Sequence, residues 1–288
     1  MLKVLQAGTV LIQDGGRSGY EQVGVPVSGA FDYLRFEEAN LLVGNNADNA
    51  AFEFYGGRLE FFSEADTLIA AVGDGLEVVV DGIFAAANAP VFVEKFSFCR
   101  ITKTAGSVAY VAVSGLSPER VLGSASTDTF SKLGPAAVSV GDTFEMDYRQ
   151  VGGVTPKFLW QDLTPHSSYC SIHYFPVSMD EGKDGLDSNV YKVETVSRSG
   201  VKLLAGDTSM EHGNASMPSI PVFPGVIQLP PNGQPIILGP DAGTVGGYPV
   251  IGIVYPSEMY KLARIIEGDV ITLVSKEPAA VVSRLVEL

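Results

Sequence analysis

Apolar residues in this chain come in short alternating runs, each broken by glycine or proline before it reaches helical length. Thr67–Val72, Leu76–Val80 and residues 91–98, 108–113 and 270–274 all read as strands, because side chains two apart fall on one face of a pleated ribbon. Asp81-Gly82, set between Glu77-Val78-Val79-Val80 and Ile83-Phe84, is a hairpin signal, since that pair tolerates the positive φ angles of a type I′ turn. With 46% apolar and only 18% charged residues, 32 Gly and 17 Pro, the composition excludes a disordered chain and points to many turns between short buried elements. The chain is expected to be mainly β.

Helical signals are few. Residues 31–43 place Phe31, Leu34, Ala39, Leu42 and Val43 at helical spacing, with Asp32 or Ser28 near the start to receive free N–H groups, and 257–265 is a shorter candidate. At 288 residues the chain suits two domains of about 130–150 residues better than one core. An internal echo agrees: Gly141-Asp142 and Gly268-Asp269 each precede an alternating strand, one domain's length apart. A looser echo relates Ile12-Gln13 to Ile227-Gln228. The expected domains are 1–150 and 151–288, joined where Gly152-Gly153 and Pro156 break the periodicity of residues 149–160.

The formal charge is −14 and no Lys/Arg cluster interrupts the acidic background, so a nucleic-acid backbone or an anionic membrane surface is a poor partner. Two distant cysteines, Cys99 and Cys170, form neither a disulfide framework nor a zinc site, which fits a reduced cytoplasmic setting. The N-terminal residues lack an uninterrupted apolar leader segment, and no later run reaches spanning length. His166, His173 and His212 are the only histidines and none has metal-ligand spacing, so no protein-bound metal is expected. Ser124-Ala125-Ser126-Thr127-Asp128 lacks a nucleophile elbow and reads first as a turn or helix cap and second as a ligand loop.

Two stretches concentrate polar chemistry. Gln13-Asp14-Gly15-Gly16-Arg17-Ser18-Gly19-Tyr20, continued by Gly24 to Asp32, sets an acid, a base and an amide among glycines that let backbone N–H groups approach a ligand. The competing reading is a loop whose Asp and Arg pair with each other. Asp241-Ala242-Gly243-Thr244-Val245-Gly246-Gly247-Tyr248 can present several N–H groups to one anion, with the Thr244 hydroxyl and the Tyr248 phenol as further donors, or it is a corner stiffened by Pro and Gly. It is no Walker A loop and opens no long helix. Across both stretches Asp14, Asp32, Glu53 and Asp241 are candidate bases or amide-orienting groups, Arg17 and Arg198 carboxylate holders, and Gln13 and Gln228 readers of an amide edge. That inventory fits a small polar amide or carboxylate.

Taken together, the motifs Gln13-Asp14-x-Gly-Arg17, Val25-Pro26-x-Ser28-Gly29-Ala30-x-Asp32, Glu53 before Gly56-Gly57, Ser124-x-Ser126-Thr127-Asp128, Gly225-x-Ile227-Gln228-x-Pro230 and Asp241-x-x-Thr244-x-Gly246-Gly247-Tyr248-Pro249 resemble the allophanate hydrolase subunit 2 family. This is also the biotin-dependent carboxyltransferase-like family, which includes the C-type subunit of bacterial 5-oxoprolinase and the Kip-type antagonist of a sporulation-kinase inhibitor. The resemblance spans nearly the whole chain. It implies two cyclophilin-like β-barrel subdomains with a few short helices, and one component of an ATP-dependent complex that opens the 5-oxoproline lactam to glutamate. It also implies a Kip-inhibitor-like (B-type) partner, a lactam-utilisation (A-type) partner, and ATP with Mg2+ in the complex. On this reading Asp14, Arg17 and Asp241 are catalytic, and Gln13, Ser28, Asp32, Glu53, Arg198, Gln228, Thr244, Gly246, Gly247 and Tyr248 line the substrate, in a cleft between the barrels. The chain departs from the family pattern at Ala125, Ser197 and Ile220, three positions where a charged residue is usual or a charge is lost. Those departures motivate two alternatives: a non-catalytic regulator that antagonises a histidine-kinase inhibitor, and a carboxyltransferase-like component of an allophanate or urea pathway.

Overall fold

The computed structural model describes residues 1–147, 167–177, 186–187, 189–206 and 218–276. The expected junction at 149–160, His166 and His212 lie outside these residues. The chain divides into two compact units, Met1–His166 and Ser167–Leu288, and the mainly β architecture read from the sequence is the one observed. Among the described residues no helix is long and apolar enough to cross a membrane.

The first unit is built on one long strand. After β1 (Leu2–Gln6), β2 (Thr9–Gln13) and helix α1 (Tyr33–Leu42) comes β3 (Ala51–Ser63), followed by β4 (Thr67–Val72), β5 (Leu76–Val80), β6 (Ile83–Ala85), β7 (Pro90–Val93), β8 (Phe98–Lys103), β9 (Ala109–Val113), β10 (Leu116–Ser117) and β11 (Thr143–Met146). The start of β3 pairs with β2 and β9, and its end with β1 and β8, all antiparallel. The path therefore bends at Gly56-Gly57 and again opposite, at Gly8. A Cβ on Gly8 would overlap the Gly56 carbonyl oxygen, so only glycine lets the two backbones cross there. Eleven strands belong to the resulting branched sheet.

Burial follows this bend. The first four residues of β3 and all of β9 are buried on both faces, because α1 covers the side away from the core, against β4 and β9. Beyond the bend β3 alternates, with Leu59 and Phe61 inward. Phe52, Phe54, Phe61, Ile69, Val111 and Val113 sit at the centre of the core. Asp32 caps α1, its Oδ1 accepting from the Arg35 N–H at 3.2 Å; Ser28, the other candidate cap, is not used.

Two local expectations resolve differently. The Asp81-Gly82 hairpin forms as read, with φ of 47° and 82° and Val80 opposite Ile83. The run 91–98 does not make one strand: it splits into the end of β7 and the first residue of β8. Phe96 turns the chain with φ of 70°, and the Lys95 N–H donates to Asp66 Oδ1 at 2.7 Å.

In the second unit β12 (Tyr169–Pro176), β13 (Val190–Ser197), β14 (Gly200–Ala205), β16 (Val226–Gln228), β17 (Ile236–Leu238), β19 (Val250–Val254) and β20 (Val270–Ser275) close a barrel in the order β12-β19-β16-β17-β14-β13-β20. Parallel pairing of β12 with β20, from Tyr169–Val270 to Tyr174–Ser275, seals it. A two-strand ribbon, β15 (Ile220–Pro221) with β18 (Val245–Gly246), stands apart from the barrel sheet. The expected second helix appears as a 3-10 turn, Pro256–Glu258, followed by α2 (Met259–Arg264).

The Gly-Asp echo is structural. Gly141 and Gly268 have φ of 95° and 92°. Asp142 Oδ2 accepts from the Ser139 N–H and Asp269 Oδ2 from the Ile266 N–H, each at 2.8 Å. The Gly141 N–H donates to the Val4 carbonyl on β1 and the Gly268 N–H to the Val193 carbonyl on β13, each at 2.9 Å. Both units thus enter a strand, β11 or β20, through the same turn.

Candidate functional site

The glycine-rich run after β2 folds against two other segments. Asp14, 3% exposed, is their junction: its Oδ1 accepts from Ser124 Oγ (2.5 Å), Ser126 Oγ (2.7 Å) and the Gly16 N–H (2.9 Å), and its Oδ2 from the Ala125 N–H (2.7 Å). Its backbone N–H donates to Ser126 Oγ and its carbonyl accepts from the Ala30 N–H. A carboxylate with four donors already in place is an organiser of backbone rather than an open base. Gln13 is drawn in the same way, its amide donating to the Thr127 carbonyl at 3.0 Å. Residues 124–127 therefore run beside the end of β2, after the tight turn at Leu122-Gly123, where both φ angles are positive.

Arg17 lies inside this junction at 1% exposure, yet it is barely engaged. Its Nη2 donates to the Ser126 carbonyl, while Nε and Nη1 have no partner. Nearby, Ser28 holds the left-handed conformation (φ 58°) with a buried, unpartnered hydroxyl, and Gln13 Oε1 is likewise open. Segments 14–17 and 27–30 are in direct contact, the Arg17 N–H donating to the Val27 carbonyl at 2.8 Å. The Asp14–Arg17 pairing held open by the sequence does not form among the ion pairs of the described residues. The result is a buried guanidinium with two nitrogens that lack partners, an arrangement suited to an anionic oxygen.

Asp32 and Glu53 belong to a different cluster in the same unit. Glu53 Oε2 accepts from Tyr110 Oη (2.6 Å) and the Phe31 N–H (3.0 Å), and its Oε1 from Tyr55 Oη (2.7 Å). Burial, and then the Glu53 charge, push the Tyr110 phenol well above its ordinary pKa. Arg35, a buried residue of α1, donates to Asp74 Oδ2 (2.6 Å), Ser107 Oγ and the Val108 carbonyl. This network ties α1 to the sheet.

In the second unit Arg198 and Asp241, both buried, face each other in a bidentate pair: Nε to Oδ2 at 2.8 Å and Nη2 to Oδ1 at 2.7 Å. The Asp241 N–H also donates to the Arg198 carbonyl. Asp241, expected to be catalytic, and Arg198, expected to hold substrate, are thus each other's partners. Gln228 lies instead under Gly246, close enough that a Cβ there would strike its amide, with the Tyr248 carbonyl 3.5 Å from its Nε2. Thr244 accepts from the Val222 N–H through its carbonyl, and Gly247 and Tyr248 are exposed. Among the described residues no group of three His, Cys, Asp or Glu side chains is placed to hold a metal ion.

Sequence reasoning took Asp128 as part of a turn or cap, and it did not connect Ser124 and Ser126 to Asp14. Asp128 Oδ1 accepts from the Phe130 and Ser131 N–H groups at 2.8 and 2.9 Å, the turn-capping role read for this loop. The Ser-x-Ser spacing, which puts two hydroxyls on one side of an extended segment, was the available signal.

A two-unit β chain with a buried, open guanidinium beside a serine-rich loop is the class these features define. The chain belongs to the carboxyltransferase domain family (subdomains A and B), which matches residues 23–275. It is 32% identical over 287 residues to the C-type subunit of 5-oxoprolinase from Escherichia coli K12, covering 95% of this chain and 91% of that protein. Similarity to urea amidolyase of Saccharomyces cerevisiae is 28% over 293 residues, 91% of this chain but 16% of the yeast protein. A crystal structure of the protein TTHA0988 superposes with a TM-score of 0.83 at 27% identity, over 95% of this chain and 55% of the other.

Proposed function

We propose that this chain is the C-type subunit of an ATP-dependent 5-oxoprolinase, acting with B-type (Kip-inhibitor-like) and A-type (lactam-utilisation) partners in the cytoplasm. The observation that carries the reading is Arg17, a buried guanidinium with Nε and Nη1 open, in a chain related over nearly its full length to the C-type subunit of a 5-oxoprolinase. A lactam carbonyl is a weak electrophile, and ring opening places negative charge on oxygen. ATP, with Mg2+ accompanying it in the complex, would supply a phosphoryl group to the lactam oxygen, which opens the carbonyl carbon to attack by water. Arg17 and the Ser28 hydroxyl hold an anionic oxygen of the substrate, and Gln13 Oε1 accepts from an N–H. Asp14 positions the 124–126 loop and, through the Ser126 carbonyl, Arg17 itself. In the second unit Asp241 sets the conformation of Arg198, and Gln228, Thr244, Gly246, Gly247 and Tyr248 carry donors suited to an amide.

The test is co-expression with both partners and measurement of 5-oxoproline-dependent ATP hydrolysis. Turnover is expected, with a fall of about a hundredfold in Arg17→Ala; a folded complex of all three proteins without turnover overturns the reading. One observation favours a second reading, a non-catalytic regulator that binds a histidine-kinase inhibitor: Asp14, Arg198 and Asp241 are all held by internal partners. Partner binding unaffected by Arg17→Ala, in a complex without ATP hydrolysis, is its signature. The likeness to urea amidolyase supports a urea-pathway carboxyltransferase only if a biotin-carrier partner exists.

A further inference from the structure

The sheet of the first unit ends at β6, which pairs with β5 and with no other strand among the described residues. A two-residue turn joins β5 to β6, so the bonded pairs are Val80 with Ile83 and Val78 with Ala85. Between them the Phe84 N–H and carbonyl point away from β5. Such an edge is an open template for another strand. It is short, but it carries none of the charges, prolines or bulges that keep a neighbour off, and residues 82–93 hold no charge at all.

Both faces of the edge are apolar and bare. Ile83 and Phe84 are each 73% exposed. Ile83 lies opposite Val80, which lies opposite the buried Cys99, so it extends the core-side face of the sheet. Phe84 lies opposite Val79, which lies opposite Arg100, and therefore shares the outer face with Phe98, two residues before Arg100. Phe98, itself exposed, packs on Phe62 with ring centroids 5.1 Å apart, and Phe96 stacks on Phe62 at 6.3 Å. Contiguous exposed rings beside an open edge mark an interaction surface.

We infer that β6 pairs with β6 of a second copy of this chain, antiparallel about a two-fold axis at Phe84. A strand centred on its own outward-pointing backbone groups is self-complementary. The N–H and carbonyl of each Phe84 meet the carbonyl and N–H of the other, Ile83 comes opposite Ala85, and the two Phe84 rings become neighbours on one face. Charge favours a second copy over a charged partner. Two chains at −14 repel over most of their surface, and this uncharged stretch lets them touch without bringing like charges together, whereas it offers a charged partner nothing to pair with. Asp81, the nearest acid in sequence, has its Oδ1 engaged by the Phe98 N–H at 2.8 Å. Ile83 and Phe84 offer roughly 300 Å2 from each copy, and with Phe98 and the 85–87 backbone the pair buries about 1,000 Å2, the lower limit for a specific interface. The dimer is therefore weak and depends on concentration.

The experiment is sedimentation equilibrium of the full chain from about 1 to 500 μM, a range that reaches weak self-association. The wild-type mass should climb from 30.5 kDa toward twice that value. Phe84→Lys sets two ammonium groups side by side across the axis and should hold the mass at 30.5 kDa throughout, while melting like the wild type. An equimolar mixture of Phe84→Lys and Phe84→Glu should regain the heavier species, because opposite charges then face each other; mere loss of an apolar surface would not be repaired in this way. In the wild type, exchange of the Phe84 N–H should slow as concentration rises, while the Ala85 N–H, already bonded to β5, keeps its rate. A wild type at 30.5 kDa throughout, a dimer that survives Phe84→Lys, or a mixture that stays monomeric overturns the inference. So does a wild type that is monomeric alone but binds a B-type subunit in a manner lost in Phe84→Lys, which would give the edge to that partner. Should either variant fail to fold, the wild-type exchange measurement decides alone.

Discussion

Two buried guanidiniums in this chain have opposite surroundings, and mutation should separate them. Arg198 is matched by Asp241 on two hydrogen bonds, so Asp241→Ala leaves a buried charge without its carboxylate and should lower the unfolding free energy by about 3–5 kcal/mol in urea titrations. Arg17 has one carbonyl partner and two open nitrogens. Arg17→Met should therefore leave stability within about 1 kcal/mol of the wild type or raise it, while turnover of the assembled complex falls. A loss of several kcal/mol on that change would make Arg17 structural. The sequence named both arginines and both aspartates, but nothing local tells which are paired. Asp14 finds Ser124 across 110 residues and Arg198 finds Asp241 across 43, so the hub and the pair became visible only once the loops were placed. Asp128, read as a turn residue, differs from them through one oxygen that the sequence could not show to be open.

At the scale of elements, alternation and turn chemistry made the strands legible, because period-two burial and Asp-Gly torsions are local properties. The bend of β3 was not, since Gly56-Gly57 looks like any flexible pair until Gly8 crosses it. Two glycine substitutions expose the difference. Gly82→Ala meets no atom within 4 Å and bears only the strain of a positive φ, so it should cost about 1 kcal/mol. Gly8→Ala drives a methyl into backbone and should cost about 3 kcal/mol, with loss of β1–β3 pairing seen by hydrogen exchange. At the end of β8, burial pushes the Lys103 ammonium down to about 8, with Asp74 opposing and Arg35 adding to the shift. A depressed lysine means that the unfolded chain binds more protons above pH 8, so this group's contribution to stability rises with pH. Cys99, raised by burial to about 12 from 9.0, and Tyr110 pull the other way as the unfolded thiol and then the unfolded phenol titrate, an effect that the wild type and Lys103→Met share. Between pH 8 and 9 the stability of the wild type should therefore climb relative to Lys103→Met; parallel curves for the two proteins would refute it.

Across the whole molecule, the strongest sign of common construction is the Gly-Asp turn, which the sequence showed as a repeated dipeptide and the structure shows as a repeated set of bonds. In each unit the aspartate caps the turn, the glycine N–H reaches a neighbouring strand, and the aspartate carbonyl accepts an N–H from that strand, Val4 on β1 or Val193 on β13, at 2.8 Å. The turn thus sets the register at which β11 meets β1 and β20 meets β13. Its environment differs: Asp269 is 5% exposed, whereas Asp142 is half-buried and water can replace part of what its side chain supplies. Asp142→Ala should cost about 1 kcal/mol and Asp269→Ala about 2 kcal/mol. If each turn serves only its own unit, hydrogen exchange after Asp142→Ala should quicken in β1 and β11 while β13 and β20 keep their protection, and Asp269→Ala should produce the complement. Loss of protection in all four strands from either change would mean that the units open as one, and the turn would then be a device of the whole chain rather than of its halves.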